Sequence, residues 1–226
     1  MKKNKLSELL IKIISEQYQL IPEDSGEFSK FKCGMLNVTV NSYNAPEFGH
    51  ISVLNGSALF GIMKMETIIL NAIEKDSPLL SFDYIKIPGH CTLLLELYDT
   101  VIDKNTNFNS VLKKFNLIKS KIKDLPDYKL GNHWYDYMKF SESIAKRTKK
   151  SYSMQLYKTA EEYFSEYIKF TKNIKECSKK DEKKKKTFEY VDGLLTKGGP
   201  TTNAFKKKLG DSKTRLLFEN VLFGLN

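Results

Sequence analysis

Asp83 and Glu66 are the residues of this sequence whose type and setting best suit chemistry. Each carboxylate lies among apolar, β-branched and aromatic neighbours, Glu66 in the run 58–70 and Asp83 in the run 78–85. A carboxylate in such surroundings is costly to bury as an isolated charge, so it holds a proton at a raised pKa, pairs with a cation, or faces a ligand. Structural duties are the alternative: Asp83 as a strand-end carboxylate bonded to a backbone amide, Glu66 paired with a lysine of a covering helix. Upstream of both stand Tyr43, Pro46 and Phe48 around a turn, and the apolar run Ile51-Ser-Val-Leu54.

The elements that must position these residues follow from periodicity. Leu6, Leu9, Leu10, Ile13 and Ile14 recur at helical spacing opposite Ser7, Glu8, Lys12 and Glu16, which predicts an amphipathic helix over 5–20 that ends before Pro22. From 28 to 101 the pattern changes to short β-rich runs at 31–35, 36–43, 50–54, 58–70, 79–85 and 91–98. Gly34, Asn55-Gly56 and Pro88-Gly89 separate these runs, and Asn55-Gly56 is the strongest two-residue hairpin signal. Strands joined by such short turns form an antiparallel meander. Helical spacing returns in Val111, Leu112, Phe115, Ile118 and Ile122, then in a tyrosine-rich helix over 154–174 and a last helix over 206–223. Helices before and after a continuously apolar antiparallel sheet predict a mixed α/β (α+β) chain, a three-layer α/β/α sandwich formed by a single domain over 1–226.

Composition narrows the classes of function. A formal charge of +10 calls for an acidic partner, although part of the excess falls in the lysine run 179–186, which reads as a solvated, mobile loop. Cys33, Cys91 and Cys177 are too far apart to suggest a zinc or iron–sulfur centre, so no metal is expected. The sequence has no Gly-rich phosphate loop and no dinucleotide-binding pattern. It also lacks a run of about 18 apolar residues, and a cytoplasmic protein without a membrane partner is expected. His50, His90 and His133 read as surface residues, with His90 able to line a pocket mouth, and Trp134 anchors the segment after the break at Pro126.

Tyr43, Pro46 and Phe48, with the later run from Pro78 through Phe82-Asp83-Tyr84, resemble the ferredoxin-dependent bilin reductases, which reduce open-chain tetrapyrroles such as biliverdin. Tyr190, the turn Gly198-Gly-Pro-Thr-Thr-Asn203, Leu209-Gly210 and Val221-Leu-Phe223 resemble the substrate-flanking loop and final helix of that family. The resemblance implies that Asp83 is the catalytic acid that shares a proton with the bilin. It implies Glu66 as its partner, standing where several members have a histidine, and Leu54 where some have a glutamate. Two carboxyls facing one pocket repel, which raises one pKa and favours proton donation. The loss of the glutamate at Leu54 points to a different substrate or regiochemistry.

Lys64, Lys197, Thr201, Asn203 and His90 are implied as substrate-binding residues, with Lys197 and the residues after it near the propionates and Lys64 on the face of Glu66. No tightly bound cofactor is implied. Electrons come singly from reduced ferredoxin, or flavodoxin, and ferredoxin is acidic enough to dock on the lysine excess. A monomer is expected. A tetrapyrrole- or haem-binding protein on the same fold, without reductase activity, is the alternative, favoured by the departures at Glu66 and Leu54. A nucleic-acid-binding module is suggested by charge alone. The aromatics follow core periodicity instead of interleaving with a basic face, so no nucleic-acid partner is expected.

Overall fold

A computed structural model describes residues 5–129 and 131–225; the basic start of the chain at 1–4 lies outside them. An antiparallel sheet forms the middle layer. Its strands are β1 (Ile21–Glu23), β2 (Lys30–Cys33), β3 (Leu36–Ala45), β4 (Gly49–Ala58), β5 (Met63–Asn71), β6 (Leu79–Ile87), β7 (His90–Tyr98) and β8 (Ile144–Lys149). The spatial order is β1-β3-β4-β5-β6-β7-β8, with β2 also paired to β3. Helices α1 (Leu6–Ser15), α2 (Thr106–Ser120) and α3 (Ser153–Asn173) cover one face. Helices α4 (Lys180–Lys197), α5 (Pro200–Leu209) and α6 (Asp211–Leu216), with a π-helical turn at Leu217–Leu222, cover the other. The α/β/α sandwich expected from the sequence is the observed architecture. No helix among the described residues is long and apolar enough to cross a membrane.

Each face has its own core. Alternate strand residues such as Ile51, Ile68, Phe82 and Leu93 meet Leu10, Phe115 and Phe164 on the α1–α3 side. Their neighbours Val40, Leu54, Ile69 and Tyr98 meet Tyr190, Leu194 and Phe218 on the other. Where both faces are buried the strands carry continuous apolar runs, as in Leu93-Leu-Leu95 of β7, whereas β3 and β8 alternate.

Several local expectations change. Asn55-Gly56 lies inside β4, paired with Glu66 and Met65, and the chain reverses instead at Leu59–Gly61. Gly56 makes close packing there: an added Cβ would sit 3.0 Å from the Leu36 side chain, which would have to shift. The lysine run 179–186 is no loop. From Lys180 it begins α4, and Lys183 is fully buried, its ammonium donating to the Ser77 carbonyl. The helix expected over 206–223 divides at Gly210 into α5 and α6. Strand β8 joins the sheet edge from a segment to which the sequence reading assigned no element. His50 is buried, not exposed: Nε2 lies 2.9 Å from the Val221 carbonyl and Nδ1 3.0 Å from Glu23.

Candidate functional site

The register across the centre of the sheet decides which side chains meet. Thr67 on β5 is paired with Asp83 on β6, and both fall in one row with Leu54 on β4 and Leu94 on β7. Residues directly opposite in an antiparallel pair point to the same face. This row therefore faces α4–α6, where Leu54, Thr67 and Asp83 line a cavity of about 110 Å³. The Thr67 hydroxyl donates a short hydrogen bond to Asp83.

Burial raises the Asp83 pKa from 3.8 to about 6; the Thr67 hydrogen bond opposes that rise and the charge of Glu96 adds to it. Glu96 is the second carboxyl of the cavity, opposite Ser81 and hence diagonal to Asp83 across the strand pair. It is balanced by Lys139 at 2.6 Å and accepts a 2.9 Å hydrogen bond from the Tyr98 hydroxyl. Asp83 has the opposite setting. It is half-buried with no cation partner among the described residues, so it holds its proton to a higher pH than an ordinary carboxyl does.

Aromatic rings form the floor. Tyr98 and Tyr190 lie 4.4 Å apart, Tyr135 packs edge-on against both, and burial is the first cause of the upward pKa shift in all three phenols. His133 stacks on Tyr135 at 5.0 Å, outside the lining. The opposite wall is the π-helical turn, and three sheet side chains hold it. Ser52 Oγ donates to the Leu222 carbonyl at 2.8 Å, Asn71 Nδ2 to the Phe223 carbonyl at 2.6 Å, and His50 meets Val221. A π-turn widens the helix and presents Phe218, Leu222 and Phe223 to the cavity.

The roof is the start of α5, with Pro200, Thr201 and Thr202. Gly198 before it and Gly210 after it have φ of 86° and 80°, values that L side chains rarely adopt, so α5 is flanked by two glycine joints.

With that geometry, the comparisons with known proteins take on meaning. The chain is similar to the crystal structure of phytochromobilin synthase from tomato in complex with biliverdin. The TM-score is 0.78 over 98% of this chain and 84% of that one, at 13% identity. The fold is shared. No protein-family model matches the sequence, and no curated protein matches it.

Not every residue expected at the site is brought to it. Asp83 and Thr201 line the cavity. Glu66 does not: it pairs with Tyr84, one residue out of register with Asp83, and therefore faces α1. There its carboxylate accepts the Ser7 amide at 2.7 Å, in the first turn of a helix whose N-cap Lys5 leaves that end open to such an acceptor. The expected carboxyl pair is thus split by the sheet, and Thr67, not Glu66, neighbours Asp83. Lys64 shares the face of Glu66 on β5, and it and His90 at the β6–β7 hairpin line a different cavity.

Lys197 is turned away from the site and sits 4.9 Å over the Trp134 ring. Asn203 is exposed on α5, its side chain against Gly198. Glu96, Lys139, Thr67, Tyr98 and Tyr135 escaped the sequence reading, whereas Tyr190 was marked there with the substrate-flanking loop. Glu96 was detectable in principle as a charge inside the apolar run 91–98, the same signal that marked Asp83.

Proposed function

We propose that this protein binds a linear tetrapyrrole of the biliverdin type against Asp83 and reduces it with electrons delivered singly by ferredoxin, or by flavodoxin. The observation that carries the proposal is a carboxyl with a pKa of about 6 in an aromatic cavity. Its support is the fold shared with a biliverdin complex. A general acid works best when its pKa lies near the operating pH. Saturating one double bond takes two electrons from two reduced carriers and two protons. Asp83 gives one proton to the ring system, the other comes from solvent, and Asp83 is reprotonated from solvent after turnover. Glu96, held by Lys139, raises the Asp83 pKa by repulsion. Hydroxyls of Thr201 and Thr202 meet the polar groups of the ligand.

A pocket for a ligand of this size usually offers roughly 300 Å³ or more. The cavity is about 110 Å³, so α5 swings outward on its glycine joints to admit the bilin. The protein acts as a monomer in the cytoplasm, on the same proposal. Carriage of a tetrapyrrole or haem without turnover is the alternative, favoured by the row Leu54, Thr67, Asp83, Leu94, in which Asp83 is the sole carboxyl.

The test is an absorbance titration with biliverdin, followed by an anaerobic ferredoxin-reducing system, with Asp83→Asn in parallel. Binding with spectral conversion that Asp83→Asn abolishes is expected. Binding without conversion in the parent protein would replace reduction with carriage, and no binding would overturn both.

A further inference from the structure

On the α1 side, at the end of the sheet where β5, β6 and β7 turn, lies a second cavity of about 770 Å³. Its walls come from α1, the reversal after β4, the β6–β7 hairpin and the start of α3. Lys64 and Lys86 are directly opposite each other on β5 and β6, a like-charge pair that destabilises adjacent strands unless an anion lies between them. Lys5, Lys12 and Lys150 line the same cavity. Among the described residues none of these five lysines has a carboxylate partner, whereas Lys114, Lys121, Lys172 and Lys213 elsewhere are all in ion pairs. The carboxylate two residues along β5, Glu66, is committed to the Ser7 amide.

The ammonium of Lys86 is fixed in place. It donates to the Tyr157 hydroxyl at 2.6 Å and lies 5.0 and 4.9 Å over the Tyr84 and Tyr157 rings. The Tyr84 hydroxyl beneath it is fully buried without a hydrogen-bond partner. Between the cations the walls are aliphatic: Leu9, Ile62, Ile87 and Met154, of which Ile62 and Met154 leave more than half of their surface in water, 58% and 51%. Backbone at Leu59 and Phe60, with φ of 51° and 54°, holds the reversal that presents Ile62.

We infer that this cavity is a second ligand site, for an anionic amphiphile with a long apolar chain: the carboxylate or phosphate lies between Lys64, Lys86 and Lys150, and the chain runs along Leu9, Ile62 and Met154. The volume is within the range of small-molecule sites, roughly 300–1,000 Å³. Glu8 is the one carboxylate of the lining, and the aliphatic stretch Leu9, Ile62, Ile87 and Met154 favours an acyl or alkyl chain. The sheet separates this ligand from Asp83, and the inference does not depend on what binds there.

Calorimetric titration with oleate and with dodecyl phosphate, both below their micellar concentrations, tests it, with dodecyltrimethylammonium as control. Saturable one-to-one binding of the two anions is expected, with no binding of the cation. Lys64→Glu weakens the anions by ~10-fold or more and Lys64→Arg retains them, each 10-fold step corresponding to about 1.4 kcal/mol. Both substitutions are at an exposed side chain, so folding, checked by circular dichroism, is unaffected. Asp83→Asn leaves the affinity unchanged. No saturable binding, an affinity indifferent to Lys64→Glu, or a loss caused by Asp83→Asn would overturn the inference. So would binding to phosphatidylglycerol vesicles alone, which would make the lysines a membrane-facing surface in place of a site for a free amphiphile.

Discussion

The two faces of the sheet solve opposite electrostatic problems with the same kind of residue. On the α4–α6 face Asp83 is enclosed by rings, with one threonine hydroxyl as its hydrogen-bond partner and a second carboxylate diagonal to it. Its charge is disfavoured and its proton retained. On the α1 face Glu66, one position out of register, is buried under α1 and accepts the Ser7 amide. One residue of strand parity therefore separates a carboxyl suited to proton transfer from one suited to capping a helix. Neighbouring strands and similar apolar settings do not make two acids a pair.

The largest expected effect to separate the faces is on turnover. Asp83→Asn lowers bilin reduction by roughly 10²–10⁴-fold with little change in bilin affinity, while Glu66→Gln leaves the single-turnover rate within a few-fold. Stopped-flow absorbance with prereduced ferredoxin measures both. Equal losses would erase the distinction.

Next in size is stability, where the two carboxyls differ in sign. The folded pKa of Asp83 is about 6 against 3.8 unfolded, so the native state binds the extra proton between those values. Stability on that account falls as pH rises through the window and the deficit is complete above it, on the order of 3 kcal/mol at most. Asp83→Asn is expected to be more stable than the parent protein at pH 8 and to lose that advantage below about pH 4, as read by urea denaturation at several pH values. Glu66→Ala is expected to be less stable by about 1–2 kcal/mol at neutral pH, through the uncapped Ser7 amide. The smallest effect sharpens the account of the Asp83 face alone. Glu96→Gln removes a repelling charge and moves the pH profile of turnover toward acid by a fraction of a unit. Lys139→Met leaves Glu96 unbalanced and moves the profile the other way.

Much of this was legible in the sequence, and what was not has physical reasons. The helical stripes of α1 and α3 and the order of β3 to β7 could be read because burial on one side of a helix, or within a sheet, leaves a pattern. Asp83 stood out as a charge in an apolar strand. Parity did not, because β5 is apolar on both faces and alternation disappears where both sides are covered. Asn55-Gly56 imitated a hairpin because a glycine packed closely under Leu36 also fits a turn, while the true reversal uses Leu59 and Phe60 in backbone conformations their side chains disfavour. Strand β8 pairs with β7 from about 50 residues away, and no local signal carries that distance.

The glycine joints around α5 also bear on time. If α5 turns about Gly198 and Gly210 as proposed, the cavity fills no faster than its roof lifts. With biliverdin in excess, the observed association rate should therefore climb with concentration and then level off at the frequency of opening. Alanine at Gly198, which would press on the Asn203 side chain and strain the joint, should lower that plateau while leaving its initial slope nearly intact.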